Sequence, residues 1–267
     1  MKLIFFANKN KANAFQRMEE LKSLVERKGI GSVVIDHERM LSELPSKDWE
    51  EAFCVVAVGG DGTILRAASA ASSFGKPVLG VNMGRIGFFS EIGTDGFEEA
   101  IDKLAKGEYF IEESSMLSCS VNEEHMGDCL NDFVLHRQEL SSITHIDLDI
   151  DGDEIGDVMA DGLIVGTPSG STAYTMSAGG PVVAPKLDCI LVTPICPHSL
   201  TVRPIVASCD SVVNVELKCT CRLNMDGQDL RVLTPGDRLS FRRSDRIARF
   251  IRFENRNVFR LIREKLK

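Results

Sequence analysis

An unbroken apolar run, Phe53-Cys54-Val55-Val56-Ala57-Val58, stops at Gly59-Gly60-Asp61-Gly62-Thr63 and is followed at once by Ile64-Leu65-Arg66-Ala67-Ala68-Ser69-Ala70-Ala71. A strand followed at once by a helix, in a stretch where strands and helices alternate, implies a parallel sheet with helices on both faces. In such sheets ligands bind beyond the carboxyl ends of the strands, where this glycine turn falls. Glycines let the backbone come close to a ligand, and the start of the next helix offers free N–H groups to an anion. Asp61 then stands where a phosphate would be. A carboxylate there is repulsive unless it binds Mg²⁺ or takes a proton from an attacking hydroxyl, and both roles belong to phosphoryl transfer. The competing reading is a tight turn in which Asp61 caps the following helix.

The first hundred residues repeat this alternation. Leu3 to Ala7 predicts a strand, and Ala12 to Lys28 a helix with Phe15, Met18, Leu21, Leu24 and Val25 along one face and Gly29 as its stop. Ser32 to Ile35 and Phe53 to Val58 read as strands, 64–73 as a helix, Val78 to Val81 as a strand, and Phe97 to Leu104 as an amphipathic helix closed near Gly107. The expectation over residues 1–112 is an α/β N-terminal domain with a parallel, Rossmann-like sheet that carries the GGDG turn. Beyond that point short strands follow one another: Met116–Val121, Asp132–Arg137, His145–Ile150, Leu163–Val165, Ile190–Thr193, Val212–Lys218, Arg222–Met225, Arg238–Phe241 and Ala248–Phe253. Turn pairs such as Asp151-Gly152, Asp226-Gly227 and Pro235-Gly236 separate them, so residues 113–253 predict a β-rich C-terminal domain. Val258 to Leu266, within a closing segment 254–267, again reads as a helix.

A chain of 267 residues that is 43% hydrophobic and 26% charged has material for real cores. Its formal net charge of -8 argues against a nucleic-acid surface. The one basic concentration, Arg242, Arg243, Arg246, Arg249 and Arg252, reads as solvated strand faces. No run of 18 apolar residues is present to span a membrane, and the apolar start, Met1 to Ala7, is too short for a signal peptide. None of the eight cysteines forms a C-x-x-C pair; Cys219 and Cys221 alone share a strand face, and free thiols in a cytoplasmic protein are expected. No P-loop, no G-x-G-x-x-G after the first strand and no G-x-S-x-G elbow occurs. The five histidines, His37, His125, His136, His145 and His198, are scattered and read as surface or core residues.

Further clusters accompany the glycine turn. Asn82-Met83-Gly84-Arg85-Ile86-Gly87-Phe88 is a second glycine loop at the same edge of the sheet. Asn131-Asp132 pairs an amide with a carboxylate. The run from Asp161 through Gly162-Leu163-Ile164-Val165-Gly166-Thr167-Pro168-Ser169-Gly170-Ser171-Thr172-Ala173 to Tyr174 passes from strand into a hydroxyl-rich loop. Such a loop offers O–H and N–H donors to phosphate, and Tyr174 offers a face on which a base could stack.

Together these motifs resemble the NAD kinases. The resemblance rests on GGDGT (59–63), N-x-G-x-x-G-F (82–88), Asn131-Asp132, DGLIV-x-TP-x-GSTAY (161–174), Ser177-Ala178-Gly179-Gly180-Pro181, Thr193 to Leu200 and Asp226-Gly227-Gln228. It implies transfer of the ATP γ-phosphoryl group to the adenosine ribose 2′-hydroxyl of NAD⁺, giving NADP⁺, with ATP or polyphosphate as donor and Mg²⁺ or another divalent cation brought with it. It implies the two-domain fold above, with the C-terminal helix packing back on the first domain. A cytoplasmic homo-oligomer, dimer or tetramer, is implied as well, with the NAD site near a subunit contact and neither nucleic acid nor membrane as partner.

The same resemblance carries roles to single residues. Asp61 is the catalytic residue, and it orients and deprotonates the 2′-hydroxyl or helps hold Mg²⁺. Gly62 lies beside the dinucleotide, Arg66 faces a phosphate, and Phe88 lines the pocket. Asn131 and Asp132 bind the nucleoside part and Asp161 the nicotinamide end. Thr172, Ala173, Tyr174, Thr175, Met176 and Ser177 wrap the adenosine, and Gln228 closes the site. The chain departs from the family's frequent pattern at Gly166, Ser169 and Phe89, where Ser, Thr and Leu are common. Basic residues that some relatives carry between the Asn-Asp pair and the Asp-Gly run are replaced here by Ser141, Ser142 and Met159. The alternative reading is a GGDG-type kinase acting on a sugar or lipid hydroxyl, which would not need the GSTAY run.

Overall fold

A computed structural model describes residues 1–8, 12–36, 44–84, 87–139, 143–199, 201–255 and 258–265. His37, Arg85, Ile86, Ser141, Ser142, Leu200 and the end of the helix read to Leu266 lie outside the described residues. The chain forms two compact units, Met1–Glu113 with Ile247–Lys267, and Ser114–Arg246.

In the first unit the strands β1 (Lys2–Ala7), β2 (Gly31–Asp36), β3 (Cys54–Val58) and β4 (Val78–Asn82) are parallel and lie in the order β2-β1-β3-β4. Every residue of β3 and β4 is buried, as a run without polar alternation requires. Helices α1 (Ala12–Arg27) and α4 (Phe97–Lys106) pack Met18, Leu21, Val25, Phe97 and Ile101 onto Leu3, Phe5, Val56 and Leu79. Helix α3 (Asp61–Ser72) sets its buried Ile64, Leu65, Ala67 and Ala68 against β3 and β4. From β1 the chain goes outward to β2 and then crosses to β3 on the other side of β1, so the sheet reverses direction between β1 and β3. A reversal of this kind opens a crevice at the carboxyl ends of the two strands. The Gly59–Thr63 turn leaves β3 at that edge. The short α2 (Ser46–Glu51) and the two-residue β5 (Ile92–Gly93), which pairs with β4, complete this part.

The second unit is antiparallel throughout. One sheet has the order β13-β12-β11-β8-β15-β16, with β8 Asp132–Arg137, β11 Gly162–Gly166, β12 Cys189–Ile195, β13 Ile205–Ser208, β15 Cys221–Met225 and β16 Gln228–Leu233. A second layer places β9 (Thr144–Ile150) between β10 (Asp153–Ala160) and β14 (Val213–Leu217), followed by β17 (Arg238–Arg252). Between the layers Leu117, Phe133, Leu135, Ile146, Leu148, Leu163, Val165, Val213, Val215 and Phe241 form one core. Strand β6 (Phe110–Val121) makes a hairpin with β7 (Glu124–Cys129). The end of β17, from Ile247, and α6 (Val258–Lys265) belong to the first unit.

Three local expectations are corrected. Helix α3 starts at Asp61, not at residue 64, because Gly60 already accepts the first helical hydrogen bonds, from Thr63 at 2.9 Å and Ile64 at 3.2 Å. Arg238–Phe241 and Ala248–Phe253 are ends of the single strand β17. The polar stretch between them breaks the alternation, with exposed pairs on either side of Ser244, which is turned inward and donates to Asp128 at 2.6 Å. Nor are all five arginines of that region solvated: Arg252 is 2% exposed.

Candidate active site

Asp61 is the first residue of α3, with Gly60 as a helix cap that carries no side chain. Its carboxylate is held by the second glycine loop. It accepts hydrogen bonds from the backbone N–H groups of Phe88 (Oδ2, 3.0 Å) and Phe89 (Oδ1, 3.0 Å) in the second glycine loop. Two N–H donors, one on each oxygen, fix the plane of the carboxylate. The loop is braced in turn. The buried Ser90 hydroxyl accepts from Gly87 N–H at 2.7 Å and from the Asn82 amide at 3.4 Å, while Asn82 accepts from Gly84 N–H at 2.7 Å. Gly87 is required by its surroundings, because a Cβ there would overlap the Asp61 carboxylate. Gly59 is required too, since at φ 155 a Cβ would lie 2.7 Å from Thr63 Oγ1. Gly60 and Gly62 differ. A Cβ on either meets no protein atom within 4 Å, and both residues are exposed. What their lack of a side chain provides is open backbone beside Asp61, as a bound phosphate would need. Arg66 is half-buried one turn along the helix, and Phe88 contributes its N–H as well as its half-buried ring.

The second unit gathers a separate cluster around Asn131-Asp132 at the start of β8. The Asp226 carboxylate accepts from the N–H groups of Leu130 (3.0 Å), Asn131 (2.8 Å) and Asp132 (3.3 Å). Thr167 N–H donates to the Asn131 carbonyl at 2.9 Å, and its hydroxyl to Leu130. Gly170 lies so close that a Cβ there would strike the Asn131 carbonyl, and a Cβ on Gly180 would sit 2.9 Å from Thr193 Oγ1. After β11 the hydroxyl-rich segment is ordered: Ser169–Thr172 form a 3-10 turn and Tyr174–Ser177 the short helix α5. Tyr174 is exposed, Thr175 buried, Thr172, Ala173 and Met176 half-buried, and Ser177 exposed. Among the described residues the buried atoms Asn131 Oδ1, Asp132 Oδ2, Thr175 Oγ1 and Thr193 Oγ1 have no hydrogen-bond partner. Buried polar atoms are nearly always paired, so four orphans in one cluster mark a place for a polar ligand. Burial, then the neighbouring Asp226 charge, lift the Asp132 carboxyl to about 7, against the pull of the Tyr174 N–H. Burial raises Asp226 as well, opposed by its three N–H donors.

The remaining candidates lie apart. Gly166 pairs with Asp132 and Gly162 with His136, so Asp161 sits at the opposite end of β8 and β11. Five strand residues, roughly 16 Å, separate it from the Asn131 cluster. There Asp161 is ion-paired with Arg137 at 2.8 Å. Gln228 is exposed at the first position of β16. Sequence reasoning missed Asp226, Thr167, Arg137 and the Phe89 N–H. Asp226 carried the one available signal: an Asp-Gly turn takes a left-handed residue, here at φ 48, and leaves its carboxylate free to cap a neighbouring backbone. The described residues contain no group of three or more His, Cys, Asp or Glu side chains arranged around a metal position.

Comparison with known proteins agrees with the motifs. Residues 3–109 match the family described as ATP-NAD kinase N-terminal domain, and residues 130–253 the family described as ATP-NAD kinase C-terminal domain. The NAD kinase of Methanothermobacter thermautotrophicus is 35% identical over 276 residues, covering 100% of this chain and 96% of that protein. The NAD kinase of Methanopyrus kandleri is 37% identical over 253 residues, covering 92% and 90%. Among solved structures, an NAD kinase from Archaeoglobus fulgidus in complex with ATP aligns at a TM-score of 0.78 and 27% identity, over 99% of this chain and 98% of that one. Yeast NADH kinase complexed with NADH shares the fold at a TM-score of 0.88, with 24% identity over 100% of this chain and 87% of that one. These matches do not favour a kinase of sugar or lipid hydroxyls, and the chain belongs to the NAD kinase family.

Proposed function

We propose that this NAD kinase works through Asp61 as the base that orients and deprotonates the adenosine ribose 2′-hydroxyl of NAD⁺ while the ATP γ-phosphoryl group is transferred to it. The observation that carries this reading is the Asp61 carboxylate itself. It is fixed by two backbone N–H groups at the carboxyl edge of a parallel sheet, between two glycines with open Cβ directions. A loose phosphoryl transition state needs positioning and charge stabilisation more than covalent help from the protein. The uncapped start of α3 and Arg66 supply positive potential for phosphate oxygens. A divalent cation would arrive with the nucleotide and neutralise phosphate charge. Asp61 fits as a single carboxylate ligand to such an ion, the usual protein share when phosphates and water complete its shell.

Asn131 and Asp132 take hydroxyl or amino donors of the nucleoside on their unpartnered oxygens, Thr172 to Ser177 enclose the adenosine, and Tyr174 lays its exposed ring against a base. Asp161, with Arg137, meets the nicotinamide end, and Gln228 closes over the ligand. Polyphosphate as donor, homo-oligomeric assembly and a cytoplasmic setting complete the reading. All eight cysteines are free thiols, which suits a reducing compartment. No helix among the described residues is long and apolar enough to cross a membrane.

The test is a coupled assay in which NADP⁺ made from NAD⁺, ATP and Mg²⁺ is read by an NADP-specific dehydrogenase. Asp61→Asn keeps one of the two backbone N–H bonds through its amide oxygen, turns its NH₂ toward the other donor and removes the base, and turnover is expected to fall by on the order of 10² or more. An unchanged rate would remove Asp61 from the chemistry.

A further inference from the structure

Phe89 faces two ways. Its N–H holds Asp61 Oδ1 at 3.0 Å, and its carbonyl accepts from Arg252 Nη1 at 3.1 Å. Arg252 reaches this point from the end of β17 and is 2% exposed. Nη1 also meets Glu91 Oε2 at 3.2 Å, and the Glu91 side chain is itself 5% exposed. Through Nε and Nη2 the guanidinium makes a two-pronged contact with Glu112, at 3.1 and 3.3 Å. The other Glu91 oxygen accepts from Phe253 N–H at 2.9 Å, and Glu91 N–H donates to Gly80 at 2.7 Å. The Phe89 ring stacks on Phe250, with centroids 5.5 Å apart, and Phe250 also carries the Arg252 guanidinium 5.1 Å above its ring. A segment of the chain far from residue 61 thus fixes both the side chain and the carbonyl of the residue whose N–H holds Asp61.

We infer that Arg252 is a positioning residue for phosphoryl transfer, acting through Phe89 to hold the Asp61 carboxylate in its working orientation. It touches neither substrate. A cation could have been placed anywhere to balance Glu91 and Glu112. This one spends a planar guanidinium, whose forked donors match a carboxylate and a carbonyl at once, on the loop that holds Asp61. Buried ion pairs are weak devices for stability, because desolvation offsets much of their attraction, and the four bonds that the Arg252 guanidinium makes fix geometry instead. The inference rests on the reading of Asp61 as the base.

The test is a double-mutant cycle in steady-state kinetics. Arg252→Met would leave two acidic groups without their cation, so it is paired with Glu91→Gln; Arg252→Lys is the second variant, keeping a charge but not the fork. In a folded Arg252→Met/Glu91→Gln enzyme, kcat is expected to fall between 10-fold and 10²-fold, the scale of a small misplacement of a catalytic group. KM for NAD⁺ should stay within about threefold, because loss of an interaction felt only in the transition state lowers kcat rather than binding. Arg252→Lys should recover part of the rate. On an Asp61→Asn background the same Arg252 change should cost less than about twofold in kcat, since residues acting as one unit are not additive. Unchanged kcat in the folded variants overturns the inference, as does an equal fractional loss on both backgrounds or a rise in KM alone. Full activity of Asp61→Asn with Arg252 intact overturns the base assignment first, and the inference with it.

Discussion

Asp132 lies 5% exposed near Asp226, with one carboxylate oxygen unpartnered among the described residues. Burial, and after it the Asp226 charge, lift it from 3.8 to about 7. The sign of the consequence follows from proton counting. Between about pH 4 and about pH 7 the folded chain holds a proton that the unfolded chain has released, so stability from this group is complete below that window and is lost as pH rises through it. While the proton is held by the folded state alone, the slope is at most about 1.4 kcal/mol per pH unit. Denaturant titrations at pH 5, 6 and 7 should therefore show stability falling more steeply with pH in the native sequence than in Asp132→Asn. Parallel slopes would mean that Asp132 is ionised throughout. Asp61 stood out in the sequence as a carboxylate set among glycines, and Asn131-Asp132 as an amide beside a carboxylate in an apolar stretch. Arg252 was not, because a basic residue in a basic stretch looks solvated until the acidic partners, Glu91 and Glu112, are brought to it by the fold.

At the scale of elements, α3 begins one residue after an exposed glycine and has a second at its second position. Neither glycine is demanded by backbone conformation or by packing, since Gly60 has φ -85 and neither Cβ direction is blocked. Gly62→Ala should leave the fold intact and raise its stability by up to about 1 kcal/mol, because glycine is the weaker helix former. If the open backbone serves a phosphate, the same change, and Gly60→Ala with it, should lower kcat/KM for ATP by tenfold or more, about the effect of 1.4 kcal/mol of lost binding. Higher stability with unaltered kinetics would place the nucleotide elsewhere. Strands β1, β3 and β4 and helices α1 and α4 were readable because core position and helix period are written in apolar residues. Strands β7, β10, β13 and β16 passed unread for the opposite reason. In β10, for example, only Val158 and Ala160 are buried, so the strand owes its existence to pairing with β9 and not to a pattern of its own.

On the scale of the whole molecule, the two units have separate cores. One contains Leu3, Phe5, Met18, Val56, Leu79 and Ile251, and the other Phe133, Leu135, Leu163, Val215 and Phe241. The alternation of the first hundred residues and the short strands after them made this division legible. The return of the chain to the first unit at Ile247 was hidden, because β17 runs through the boundary without a break. Separate cores predict separate responses to a core lesion. Phe133 is fully buried, and Phe133→Ala should cost about 3–5 kcal/mol, the usual range for removing a core aromatic ring. Native-state hydrogen exchange should then show lost protection in β8, β11 and β15, with β1, β3 and β4 close to their original values, because cooperative opening follows the unit that holds the lesion. The reciprocal variant, Phe5→Ala, should spare β8 and β11. Equal loss in both sets of strands, in either variant, would show that the molecule opens as a single cooperative body. In that case the position of Asp61 would depend on the β-rich unit's core as much as on the bonds from Phe88 and Phe89.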